Sequence, residues 1–343
     1  MTTYVEETIT IGGGRSQLKP DPLSGIEAVP ERRVQLILVP SSGASRSSVQ
    51  VYPRPDGEPM TEEEPRPMET LAASRSIISD EASEPRYATA NAESGPERAR
   101  LEVLQQLNDA ATLRRIDAIG IETGWRCVEI GAGAGSIARA LAERAGPQGL
   151  VVAADRDPRF LDDFSGPGRE VVTHDIMNAP VSPGGFDFAH CRAVLAHVGD
   201  LETAVRHVVR SVRPGGWILC EEPDYGPMEA CDPQHPHAQD LAAFRSLMTQ
   251  GGRVDGYAGR HVFEALRAQG LSEVETDSHG AIAIGGTLRA QFRRDSLEIV
   301  RSLILASGAI TQSGFDRMLA AFDDPTFAYI DNDWIATQGR VPL

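Results

Sequence analysis

Residues 127–136 read Cys127-Val128-Glu129-Ile130-Gly131-Ala132-Gly133-Ala134-Gly135-Ser136. A short apolar run carrying one acid meets three alternate glycines, and a helix-forming stretch follows over 136–145. Glycine takes backbone conformations closed to other residues and lets a ligand approach the main chain. The amino terminus of the helix behind it favours a carboxylate or phosphate. The segment therefore reads as strand, ligand loop and helix.

Working outward, a regular alternation of strand and helix begins at Trp125. Strands are expected at 126–130, 150–154, 170–174, 186–190 and 217–221, with helices at 136–145, 159–164 and 201–212. Leu201, Val205, Val208 and Val212 lie on one face of the last helix. Such alternation implies an α/β fold with a doubly wound, mostly parallel sheet covered on both sides. Ligands of these sheets bind beyond the carboxyl ends of the strands, near the point where strand order reverses. Upstream, Ser94 followed by Glu97 three residues later reads as a capping box. It would start a helix bearing Leu101, Leu104 and Leu107, with a second helix from Asp109 burying Leu113, Ile116 and Ile119 and stopping at Gly120. Downstream, helices near 239–248 and 260–269 precede a strand pair within 274–284. Two further helices carry Leu288, Phe292, Ile299 and Leu303, then Phe315, Met318, Leu319 and Phe322; a closing strand region follows over 327–340.

Eleven of the 23 prolines precede residue 100, and 53–85 is dominated by Pro, Glu, Ser, Arg and Thr. Such a segment buries too little surface to offset its ordering entropy, so it reads as a disordered linker. Residues 1–52 read as an extension, with short strands expected at 34–39 and 48–52 and a third at 4–11. The main domain is then 86–343, with a core at 125–224.

With 33 Lys+Arg against 49 Asp+Glu, the net charge of -16 repels phosphate backbones and anionic lipid surfaces. Nucleic acid and membrane are not expected partners. No run reaches the roughly 18 to 20 apolar residues of a membrane span, and the first residues lack the pattern of an export signal, so a cytoplasmic location is expected. Cys127, Cys191, Cys220 and Cys231 show no CxxC spacing and read as reduced thiols, with no metal site. The loop Cys231-Asp232-Pro233-Gln234-His235-Pro236-His237 matches no standard zinc spacing and reads as a substrate-facing loop.

The glycine spacing separates two cofactor classes. A dinucleotide fingerprint places its third glycine three residues after the second, where this chain has Ser136. Asp155, at the end of the second strand, is placed to accept both hydroxyls of a ribose. Glu129, the glycines and the helix after them resemble motif I of the class I S-adenosylmethionine-dependent methyltransferases. Phe186-Asp187-Phe188-Ala189-His190 resembles that family's fourth motif. The helix over 201–212 with Arg213-Pro214-Gly215-Gly216-Trp217 resembles the ubiquinone and menaquinone biosynthesis group. The close resemblance spans 125–224; 87–124 and 241–343 fit more loosely, in the manner of methyltransferase-domain proteins of actinobacteria.

The resemblance implies a seven-stranded Rossmann-like sheet and S-adenosylmethionine as cofactor. It implies that Glu129 approaches the methionyl part, that Gly131, Ala132, Gly133 and Gly135 form the loop, and that Asp175 meets the adenine. Arg156, Ile176 and His190 complete the expected cofactor set. His190-Cys191-Arg192-Ala193 stands where enzymes acting on exocyclic amines carry Asn or Asp, two prolines and an aromatic, which argues against nucleic acid or release-factor acceptors. A small-molecule acceptor is expected, with oxygen favoured. A base, where one is needed, would be His190, His197, Glu222 or His235. Residues 225–270 and 287–322 would supply acceptor-side helices and a cap, and a homodimer is compatible with the sequence. The competing readings are an NAD(P)-dependent oxidoreductase, disfavoured by the glycine spacing, a cofactor-binding regulatory protein without catalysis, and a peptide acceptor.

Overall fold

The computed structural model describes residues 94–250 and 254–343. The expected amino-terminal strands and the linker at 53–85 lie outside the described residues.

Five strands, β1 (Arg126–Ile130), β2 (Leu150–Asp155), β3 (Arg169–Thr173), β4 (Phe186–Arg192) and β5 (Val212–Asp224), pair in parallel in the order β3-β2-β1-β4-β5. A late strand, β10 (Asp333–Arg340), runs antiparallel between β5 and the edge strand β7 (Ser272–His279), completing seven. The expected doubly wound sheet is present, and strand order reverses between β1 and β4. β1 is buried from its second residue onward, as a strand covered on both faces must be. Its alternate residues face two cores. Val128 and Ile130 join Val205, Val208, Val262 and Leu266 of helices α3 (Leu201–Ser211) and α5 (Ala258–Ala268). Cys127 joins Ile116 of α1 (Ser94–Ile119) and Ile137 and Leu141 of α2 (Ser136–Ala145).

A third cluster draws on the residues expected to serve the acceptor, 225–270 and 287–322. Helices α4 (Ala238–Gln250), α6 (Leu288–Ile299), α7 (Arg301–Ala306) and α8 (Gln312–Asp323) accompany a small sheet. Its strands are β6 (Glu229–Ala230), β9 (Ala328–Ile330) and β8 (Ile282–Ile284), in the order β6-β9-β8. Together they bury Tyr225, Phe244, Phe315, Phe322, Phe327 and Tyr329. Arg293 of α6 forks onto Asp331 with bonds of 2.9 and 3.1 Å, and it also reaches Asn332, just before β10.

Four expectations are corrected. Asp109 does not open a second helix: Asn108 turns its side chain back to the Leu104 carbonyl at 2.8 Å, and α1 runs unbroken to Gly120 (φ 79°). The stretch 159–164 forms two successive turns, because the Asp157 carboxylate takes the Arg159 amide and Leu161 and Phe164 close onto the Pro158 and Leu161 carbonyls. The strand pair within 274–284 does not pair with itself: β7 joins the large sheet and β8 the small one. The helix of Leu288 to Leu303 is divided after Ile299.

Candidate cofactor site and acceptor side

The glycine loop leaves β1 at the strand-order reversal. Gly131, Gly133 and Gly135 have φ of 70°, 54° and 80°, the left-handed region that disfavours side chains. The loop is tied to β2, since the Gly131 amide donates to the Ala154 carbonyl at 2.7 Å and the Gly133 amide to Asp155 Oδ2 at 2.8 Å. A β-carbon on Gly131 would overlap Val194, which follows β4, so the loop presses directly on the strand across the reversal.

Three carboxylates stand at the carboxyl ends of the central strands: Glu129 within the last two residues of β1, Asp155 closing β2 and Asp175 just after β3. Asp155 also accepts the Asp157 amide at 2.9 Å; burial raises its pKa, and the amides of Asp157 and Gly133 oppose that rise. Asp175 accepts the Met177 amide at 2.9 Å and meets Arg156 Nε at 3.3 Å, beside buried Ile176. Ala132 is buried in the loop. Arg156 itself is exposed, so it lies at the rim rather than in a cradle.

Glu129 and His190 are register partners on neighbouring strands, and their side chains share the α1 face. His190 is fully buried, with Nδ1 2.7 Å from Glu129 Oε2 and Nε2 3.1 Å from Glu221 Oε2. Burial works against charge on the ring, but the two carboxylates prevail and lift its pKa to about 9. Glu221 shows the mirror effect: burial would raise it, yet bonds from His190 and Thr112 and the charge of Arg192 hold it down to about 2. Burial raises Glu129, against the pull of His190. Both nitrogens of His190 are engaged by carboxylates, which leaves neither to take a substrate proton and corrects the expectation of a base there.

Glu222 points to the opposite face from Glu221, as adjacent strand residues must. Its oxygens accept the amides of Val194, Leu195 and Ala196 at 2.9, 2.8 and 3.1 Å. Burial raises its pKa to about 7 against those bonds. It anchors the turn Leu195–His197 and is withdrawn as a base candidate. His197 ends that turn, and burial together with nearby Arg100 of α1 lowers its pKa to about 4, which keeps the ring neutral. His235 packs on Phe327 with ring centroids 4.9 Å apart and meets Thr326 at 3.3 Å, within the small-sheet cluster; the geometry does not bring it to the glycine loop. Cys231, beside it, is exposed, whereas the other three cysteines are buried.

Sequence reasoning missed Thr112, Arg115 and Asp109, which surround Glu221 and Arg192, and Asp277, which pairs with Arg115. The available signal was the polar stripe Asn108, Thr112 and Arg115 at helical spacing along α1.

Glu129, Asp155 and Asp175 are acceptors, and a ligand held by them would bring N–H and O–H groups. The fold and site thus define an α/β protein for a nucleoside cofactor, and S-adenosylmethionine, with its amine, ribose diol and adenine amino group, fits these residues.

A sequence profile of the methyltransferase domain family matches residues 97–276, just over half of the 343-residue chain. The chain belongs to that family, among the class I S-adenosylmethionine-dependent methyltransferases. A 37.1 kDa protein carried in a transposon of Streptomyces fradiae is 28% identical over 152 residues, 43% of each chain. The ubiquinone/menaquinone biosynthesis C-methyltransferase of Hahella chejuensis is 28% identical over 165 residues, 44% of this chain and 64% of that one. The matched region thus spans about half the length of these curated relatives. Among solved structures, phosphoethanolamine N-methyltransferase 2 of Haemonchus contortus in complex with S-adenosyl-L-methionine is 16% identical, with a TM-score of 0.41 over 71% of this chain and 52% of that one. Among the described residues, no helix is long and apolar enough to cross a membrane.

Proposed function

We propose that this chain transfers the methyl group of S-adenosylmethionine to a small-molecule acceptor, with a hydroxyl oxygen as the favoured acceptor atom. The observation that carries the reading is the row Glu129, Asp155 and Asp175 beside three left-handed glycines. The cofactor supplies a methyl group already activated on a sulfonium, so the chain's contribution is to position the two reactants and exclude water. Glu129 holds the amino-acid end, Asp155 the ribose and Asp175 with Ile176 the adenine. Residues 125–224 serve the donor, and 225–270 and 287–322 serve the acceptor.

The candidate base for a hydroxyl acceptor is His197, which stands on the turn after β4. A carbon acceptor is the second reading, favoured by the Hahella chejuensis relative, a C-methyltransferase. Calorimetric titration with S-adenosylmethionine, S-adenosylhomocysteine and NADH tests the donor: the first two should bind and NADH should not. Binding of NADH alone would return the chain to the oxidoreductases. Incubation of a small-molecule extract with carbon-labelled donor, read by NMR of the new methyl, then separates an O-methyl from a C-methyl product.

A further inference from the structure

The Glu129 carboxylate is held from behind by residues remote from the glycine loop. His190 bridges Glu129 and Glu221. Glu221 in turn receives Arg115 Nη1 at 2.6 Å and the Thr112 hydroxyl, both from α1. His190, Glu221, Thr112 and Arg115 are all buried.

We propose that Glu221 and Thr112 are positioning residues for the methyl donor: they fix the His190 ring so that it presents an N–H to Glu129 and leaves the other carboxylate oxygen of Glu129 for the cofactor. The proposal rests on the S-adenosylmethionine reading above. An imidazole donates from both nitrogens only when it carries two protons, and a carboxylate on each side calls for that form. Charge-assisted bonds of this kind gain strength in a buried, low-dielectric setting. If one proton leaves, one carboxylate faces a lone pair, and where the remaining N–H is drawn to Nε2 Glu129 loses its orientation.

The charged groups around the ring come from every neighbouring element. Glu129 lies on β1, Glu221 on β5 and Arg192 on its own strand. Arg115 of α1 sits behind Glu221 and carries the network to Asp277 at 2.8 Å and His279 at 3.4 Å on β7, while Arg192 pairs with Asp109 of α1 at 2.7 Å. The two carboxylates touching the ring favour its second proton. Replacing Glu221 by glutamine removes half of that hold, so the ring should deprotonate at lower pH.

The test uses wild type, Glu221→Gln and Thr112→Val. Each is titrated with S-adenosylhomocysteine from about pH 6 to about pH 8, where imidazole ordinarily changes charge, with nitrogen NMR of the His190 ring in parallel. Wild type should bind with level affinity and keep both ring nitrogens protonated. Glu221→Gln should bind about tenfold more weakly at the upper end than at the lower, the scale of a lost charged hydrogen bond, with the ring signal moving in step. Thr112→Val, which keeps the Glu221 charge, should show the same change in smaller degree; it decides the matter if Glu221→Gln fails to fold. Level, wild-type affinity in folded variants overturns the positioning role alone. Failure of wild type to bind overturns the donor reading and this proposal with it.

Discussion

Gly131, after the end of β1, and Val194, after the end of β4, share one space: a β-carbon on the glycine would overlap Val194 Cγ2. Gly131→Ala must therefore shift the turn after β4 or the loop itself, on top of about 1 to 2 kcal/mol for a left-handed residue. At Gly133 a β-carbon would lie at an ordinary 3.6 Å from Leu101, so Gly133→Ala meets only the backbone cost. Gly131→Ala is expected to lower the unfolding temperature and S-adenosylhomocysteine affinity more than Gly133→Ala, as measured by thermal unfolding and calorimetry.

Asp155 joins β2 to the loop through the Gly133 amide and is the residue proposed to meet the ribose. Asp155→Ala is expected to weaken S-adenosylhomocysteine binding by tenfold or more, for which a loss of about 1.4 kcal/mol suffices. Stability should fall less. Equal affinity in the variant would remove Asp155 from the site.

Two histidines bound the pH range from opposite sides. His197 is held neutral by burial and the nearby Arg100, with its pKa lowered from 6.5 to about 4. Its contribution to stability is full above 6.5 and is lost as pH falls through 4. His190 is raised from 6.5 to about 9 by its two carboxylates, against burial. Its contribution is full below 6.5 and is lost as pH rises through 9. Unfolding temperature against pH should flatten on the acid side in His197→Asn and on the alkaline side in His190→Gln.

Arg293 and Asp331 form a buried pair, with Arg289 3.4 Å from the same carboxylate. Arg293→Met leaves Asp331 buried with the weaker partner, and removal of one member of such a pair costs about 3 to 5 kcal/mol. Urea unfolding should show most of that loss in Arg293→Met. Arg293→Met combined with Asp331→Asn should recover part of it.

What was legible in the sequence is what local signals determine. β1 and α2 stand at their expected residues because strand pattern, glycines and helix face agree within twenty positions. Asp155 stands at the end of β2 and Asp175 just after β3, the positions expected from strand pattern. The stretch 159–164 misled because its apolar spacing suits a helix, while Pro158 and the Asp157 side chain favour turns. Asn108-Asp109 resembled a helix start, yet in place Asn108 bonds back along α1 and Asp109 serves Arg192. The relay behind Glu129 was hidden for a different reason. Arg115 and Glu221 are 106 positions apart, and only the packing of α1 on the sheet brings them together. His190 stands among the base candidates as well as in the expected cofactor set because one sequence position does not reveal that both nitrogens are taken.

The late strand β10 enters the large sheet between β5 and β7, with neighbours on both sides. A chain growing from its amino end can pair β1 through β5 as each appears, but β7 has no place until Asp333–Arg340 arrives more than fifty residues later. Until then β5 presents an open edge, the kind of surface that invites pairing with another molecule. Assembly of the parallel core and closure of the sheet are thus separated in time during synthesis.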